Sequence, residues 1–202
     1  MTELSPITTI LTPADHDDPI RSRSAGRAAP HAEVRIVDAD GDEVPRGDVG
    51  EIVARGDHVM AGYWNRSDAT ADAVRRGWMH TGDLGSMDSD GYVYVVDRLK
   101  DMIITGGENV YSVEVENALA AHPGVASVAV VGLPDETWGE RVHAVVVAAG
   151  DVPADFTELL DAHCRAMIAP YKVPRTFEFV AALPMSGAGK ILKRELRAAA
   201  LV

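Results

Sequence analysis

Asp97-Arg98-Leu99-Lys100-Asp101-Met102-Ile103-Ile104-Thr105-Gly106-Gly107-Glu108-Asn109 is the stretch on which the fold turns. Before it the chain reads as hairpins. Val34-Arg35-Ile36-Val37 alternates like a strand, Asp40-Gly41 is a turn signal, and Gly50-Glu51-Ile52-Val53-Ala54 reads as the returning strand. Leu84 to Met87, an Asp90-Gly91 turn and Tyr92 to Val96 repeat the pattern, with a brief capped helix expected between Asp68 and Arg76-Gly77. After it, helices and strands alternate. Ser112 is expected to cap a helix carrying Glu114 and Glu116, which His122-Pro123-Gly124 stops. Val125 to Leu133 and Val142 to Ala148 are apolar, β-branched runs that fit strands covered on both faces. Asp155 and Glu158 resemble a capping box for a helix with Phe156, Leu159, Leu160, His163 and Met167 on one face. Thr176 to Val180 alternates as a strand, and Lys190 to Leu201 has helical spacing. The predicted class is α+β, with a hairpin-rich part over residues 1–97 and a short sheet flanked by helices over 98–202.

The first thirty residues mix Pro, Asp, Ser, Arg and Gly without a period and read as irregular structure. The chain has 202 residues and a formal net charge of −12, which sets it against a polyanion such as nucleic acid. It contains no apolar run of about 18 residues to span a bilayer, and Met1-Thr2-Glu3-Leu4-Ser5-Pro6 has no signal-peptide character, so the cytoplasm is the expected address. Cys164 is the one cysteine; it excludes an internal disulfide and reads as a small buried thiol.

Taken singly, the polar motifs are weak. Thr81-Gly82-Asp83 fits an ordinary turn, and Asp97 to Asp101 fits a solvated charge cluster. Thr105-Gly106-Gly107-Glu108-Asn109 reads as a Gly-rich loop entering a helix, without the Lys-Ser/Thr of a phosphate-binding loop. Lys190 ends the small-residue run Ser186-Gly187-Ala188-Gly189 just where a helix is expected, a place where its charge opposes the helix dipole.

Order and spacing carry more. Thr2-Glu3, Gly50-Glu51-Ile52, Gly62-Tyr63-Trp64, Gly77-Trp78 with Thr81-Gly82-Asp83, Asp97 to Ile104 with Gly106-Gly107-Glu108-Asn109, Pro134-Asp135, Gly139-Glu140, Tyr171-Lys172-Val173-Pro174 and Gly189-Lys190-Ile191 follow one another along the whole chain. This succession resembles the C-terminal third to half of the acyl-CoA synthetases of the adenylate-forming superfamily. The resemblance implies that residues 1–97 are the end of a large AMP-binding domain and 98–202 its small mobile C-terminal domain. It implies ligase chemistry in which an acid, expected to be a fatty acid, and ATP give acyl-AMP, and CoA then gives the thioester, with magnesium required.

By the same resemblance Asp83 accepts the ribose hydroxyls of ATP, a task suited to a two-oxygen acceptor, and Arg98 contacts the ribose. Thr2 holds phosphate and Glu3 binds Mg2+. Lys100 is the hinge, Gly106 and Gly107 line the pantetheine tunnel, and Lys190 is the adenylation lysine. The resemblance also implies that the phosphate loop, the adenine pocket and the acyl pocket precede Met1, so the chain by itself is expected to be inactive in adenylation. The alternative expectation is a non-catalytic or split-gene subunit that completes an active site with a separate N-terminal chain. Ala188 stands where the family commonly has Ser or Thr, and Ile104 where some members have lysine.

Overall fold

The computed structural model describes residues 1–200, and the chain divides into two compact units after Lys100. The first contains β1 (Thr9–Ile10), β2 (Arg27–Ala28), β3 (Glu33–Val37), β4 (Gly50–Arg55), α1 (Ser67–Ala73), β5 (Val74–Arg75), β6 (Trp78–Met87) and β7 (Val93–Arg98). The ten-residue β6 is its hub. Antiparallel β4 lies along one edge, while β5 pairs with its start and β7 with its end on the other. β3 pairs in turn with β4. Alternation places Ile36, Ile52, Met87 and Val93 in one buried cluster, and Leu4, Ala54 and Met79 in another.

The turns after β3 and after β6 are closed by the same device. Asp38 Oδ1 accepts the amides of Asp40 and Asp42 at 3.0 Å each, and Asp88 Oδ1 those of Asp90 and Tyr92 at 2.9 Å each. Gly41 and Gly91 then take φ +86°.

The opening thirty residues carry more structure than their composition announces. Three short 3-10 turns and the β1–β2 pair order them. Asp15 is buried, receiving the Tyr92 hydroxyl at 2.6 Å on one oxygen and the amide and hydroxyl of Thr12 at 3.0 and 2.6 Å on the other. Gly26 (φ +85°) passes so close to the backbone of Ile10 that a Cβ would lie 2.1 Å from it.

The second unit contains β8 (Ile103–Thr105), β9 (Glu108–Val110), α2 (Ser112–Ala120), β10 (Val125–Asp135), β11 (Gly139–Ala148), α3 (Phe156–Met167), β12 (Thr176–Phe179) and α4 (Lys193–Ala199). The sheet order is β10-β11-β8-β9, with β12 parallel to β11. Both faces of the β10–β11 hairpin are covered. Val128, Val130, Val142, Ala144 and Val146 meet Val115, Leu119, Phe156, Leu160 and Cys164 of α2 and α3, and Ala129, Val131, Leu133 and Val145 meet Leu196 of α4. Cys164 is buried, and burial pushes its thiol up to about 11.

Five local expectations are corrected. Ser112 is the first residue of α2 rather than its cap, and its hydroxyl accepts from Lys193 Nζ at 2.7 Å. Asp155 makes no side-chain capping bond to α3. The buried stripe of α3 is Phe156, Leu160 and Cys164, while Leu159 and Met167 are exposed. Residues 103–110 form a hairpin, not a loop running into a helix: Thr105 pairs with Glu108, so Gly106 and Gly107, at φ +61° and +83°, make the two-residue turn that strand twist favours. Finally, α4 starts at Lys193, so Lys190 lies in the loop before it; Leu201 falls outside the described residues.

Candidate functional site

In the first unit the site begins at an irregularity in β6. Val53 pairs with His80 but Glu51 with Leu84, so β6 holds extra residues there, and Gly82 takes φ +71°. Glu51 fastens this bulge, its carboxylate accepting Gly82 N at 3.0 Å and His80 Nδ1 at 2.7 Å. Thr81 Oγ donates to the Ile52 carbonyl at 2.6 Å and accepts Asp83 N at 3.1 Å. A turn this thoroughly bonded fixes where Asp83 points.

Asp83 lies opposite Arg98 in the β6–β7 register, with Arg98 Nε 3.5 Å from Asp83 Oδ1. Both side chains remain substantially exposed, at 38% for Asp83 and 53% for Arg98, so the pair is open to a ligand. Asp83 and Thr81 line a cleft of about 350 Å³ whose other walls include Met1, Leu4, Thr8 and Val95. Beside Arg98, Asp97 is buried and its Oδ1 accepts the Arg98 amide at 2.7 Å. Asp101, in the second unit, is buried too and ion-paired with Arg197 at 2.9 Å. The charged run from Asp97 to Asp101 is thus structural at both ends rather than a solvated cluster.

Thr2 and Glu3 sit in the first 3-10 turn, and Glu3 accepts the Tyr63 hydroxyl at 2.9 Å. That bond holds the Tyr63 phenol above its ordinary range. Tyr63 as a partner of Glu3 was not readable from spacing, since sixty positions separate them. The pairing of Glu51 with His80 was likewise not readable; only the strand register brings them together. Among the described residues no group of three or more His, Cys, Asp or Glu is arranged to hold a metal.

Lys100, the last residue of the first unit, occupies a 3-10 turn, Leu99–Asp101. In the second unit Gly106 donates its amide to the Trp138 carbonyl at 2.9 Å, and a Cβ on it would meet the Trp138 ring at 2.8 Å. A Cβ on Gly107 would meet open space. Lys190 is exposed on a tight turn: its amide bonds Ser186 Oγ at 3.1 Å, its carbonyl accepts Ser186 N at 2.8 Å, and Met185 bridges Ile191. Its ammonium has no ion-pair partner among the described residues. The structure therefore brings Asp83 and Arg98 together, and places Thr2 and Glu3 in that same unit, whereas Gly106, Gly107 and Lys190 belong to the second unit.

Residues 1–64 match the model of the AMP-binding enzymes, and residues 114–190 match that of the AMP-binding enzyme C-terminal domain. A feruloyl-CoA synthase of Amycolatopsis sp is 50% identical over 197 residues, covering 98% of this chain and 40% of the relative. A long-chain-fatty-acid–CoA ligase of Escherichia coli O157:H7 is 44% identical, covering 98% of this chain and 34% of the relative. Among solved structures, o-succinylbenzoate CoA synthetase from Bacillus subtilis in complex with the acyl-adenylate intermediate OSB-AMP superposes with a TM-score of 0.88 at 37% identity, over 98% of this chain and 40% of that one. The amide bond synthetase McbA from Marinactinospora thermotolerans gives 0.83 at 43% identity, over 95% and 39%. The chain spans about 40% of the length of the first of these relatives. With both models matched and the fold shared at this level of identity, the chain belongs to the AMP-binding enzymes, the adenylate-forming family that includes the acid–CoA ligases, and it carries their C-terminal domain.

Proposed function

We propose that this chain is the C-terminal portion of an ATP-dependent ligase joining a carboxylic acid to coenzyme A, with a fatty acid as the first candidate substrate. The observation that supports the reading is the exposed Asp83–Arg98 pair, with Asp83 at the wall of a cleft just after the Gly82 bulge. An ionised carboxylate with an exposed edge accepts two neighbouring ribose hydroxyls, and the guanidinium beside it supplies donors to the same sugar. In the first half-reaction a carboxylate oxygen attacks the α-phosphorus of ATP, the bond to the bridging oxygen breaks and pyrophosphate leaves. Lys190, exposed and without an internal counter-ion, is suited to place a mobile positive charge where negative charge builds up. In the second, the CoA sulfur attacks the acyl carbon and AMP leaves.

Lys100 is proposed as the hinge between the two steps, and Gly106 with Gly107 as the wall of the thiol's path, Gly107 offering open space. Glu3 is the carboxylate offered to magnesium, with Thr2 beside it for phosphate. That ion binds through one or two carboxylates plus phosphate oxygens and water, so a lone carboxylate fits it. When bound it neutralises phosphate charge.

The test is acid-dependent exchange between pyrophosphate and ATP, run with fatty and aromatic acids. The chain alone should show none. Joined to, or mixed with, the N-terminal part of an acid–CoA ligase, it should support exchange that Lys190→Ala lowers by about 100- to 1,000-fold, as when one preorganised donor is removed. Lys100→Pro, which fixes φ, should spare exchange and slow thioester formation. Undiminished exchange in Lys190→Ala would overturn the assignment.

A further inference from the structure

A second cleft lies in the first unit, formed where β3 and the turn after it face the β5–β6 hairpin. It holds about 240 Å³, and Arg35, Arg75, Arg76 and His80 line it over a floor that includes Val53. Three arginines line it against one lining carboxylate, that of Asp40, with Glu43 3.5 Å from Arg35, which leaves a surplus of positive charge in a chain whose net charge is −12. Such a local reversal of sign concentrates anions against the field of the whole molecule.

How these arginines are held argues that they are placed for a ligand. The Arg35 guanidinium stacks over Trp78 at 4.7 Å and has Glu43 at 3.5 Å, so it is oriented before anything binds. Arg55 also lies over this indole, 4.5 Å from the ring centroid. Arg75 reaches the Asp72 carbonyl through Nε at 2.9 Å, leaving its two terminal nitrogens for other acceptors. Arg76 has no carboxylate partner among the described residues.

The backbone at Arg76 is the stronger sign. Arg75 pairs with Trp78, so Arg76 and Gly77 form a two-residue turn, at φ +51° and +79°. Turns of this type favour Asn, Asp or Gly at the first position because φ is positive there, and a long side chain is disfavoured. Arginine in that position does nothing for the turn. What it does is bring a third guanidinium to the cleft, and strain of this sort points to a site.

We propose that this cleft binds a phosphoryl group, free or carried on a nucleotide, through Arg35, Arg75 and Arg76. Guanidinium forks match phosphate geometry. The inference does not rest on the adenylation reading, since Asp83 and Arg98 line no part of this cleft.

The experiment titrates the chain at low ionic strength with inorganic pyrophosphate and separately with AMP, following the Trp78 indole N–H by NMR and the heat by calorimetry. Saturable shifts of that resonance are expected with pyrophosphate. Arg75→Gln and Arg76→Asn should each weaken binding by about tenfold or more, the loss of a charge-assisted contact. Arg76→Asn should also melt no lower than the parent, because Asn tolerates positive φ. Response to both ligands identifies a nucleotide-borne phosphoryl group as acceptable; response to pyrophosphate alone identifies the free anion. Binding undiminished in both variants, or no saturable response in the parent to either ligand, overturns the proposal.

Discussion

Asp15 shows what a single side chain contributes here. Hydrogen bonds from the Thr12 side chain and from the Tyr92 hydroxyl lower its pKa to about 2 from the ordinary 3.8. A depressed carboxylate stabilises the fold above its ordinary pKa, and that contribution disappears as pH falls through the folded value, so the window runs from about pH 4 down to about pH 2. Tyr92→Phe removes the second of these bonds and should move the Asp15 titration back toward the ordinary carboxylate range. A carboxyl-carbon NMR titration that leaves Asp15 unmoved in the variant would show that the Tyr92 bond does not hold it. This pair could not be read ahead of the structure, because seventy-seven positions separate the partners and the stretch around Asp15 lacks a period. The motif singles out Asp83 as a candidate but does not show how it is held: the bulge at Gly82 and its fastening by Glu51 exist only in the β4–β6 register.

Among the elements, α4 is the one whose anchoring was least predictable. Lys193 Nζ lies 2.7 Å from Glu116 Oε1 and 2.7 Å from Ser112 Oγ, both on α2, and the two charged side chains are only 15% and 19% exposed. Removing one member of such a pair strands the other. Lys193→Met should therefore cost about 2–3 kcal/mol in urea unfolding, somewhat below the ~3–5 kcal/mol of a fully buried pair. Adding Glu116→Gln to that variant should recover at least half of the loss, since an amide oxygen still accepts a backbone amide without leaving a charge behind. If the double variant is no more stable than Lys193→Met alone, the pair does not act as a unit. The strands β3, β4, β6 and β7 were readable because alternation and Asp-Gly turns are local signals, and β10 with β11 announced two-sided burial in their unbroken β-branched runs, whereas the β8–β9 hairpin was not. Helix starts were not. Ser112 and Asp155 have the right chemistry for caps, yet tertiary contacts claim Ser112, and at the start of α3 Asp155 contributes its backbone carbonyl rather than its side chain. Helical spacing after Lys190 was real but began three residues late, because the turn through Ser186 precedes it.

Each of the two units has its own buried clusters: Ile36 with Ile52, Met87 and Val93 in the first, and the two faces of β10 and β11 in the second. Residues 101–202 expressed alone should accordingly give a dispersed amide spectrum with slow hydrogen exchange at Val130, Val145 and Val146. Collapse of that spectrum would mean that the second core needs the first half of the chain to form. The same sheet carries a hazard. β10 ends the strand order, so its outer edge has no neighbouring strand among the described residues, the kind of border on which a strand from another molecule can add. Glu116 guards it: the oxygen that meets Lys193 also accepts Val130 N at 2.8 Å. A carboxylate from the protein's own helix thus occupies an amide on which foreign strand pairing would depend, and the same oxygen ties that edge to α4.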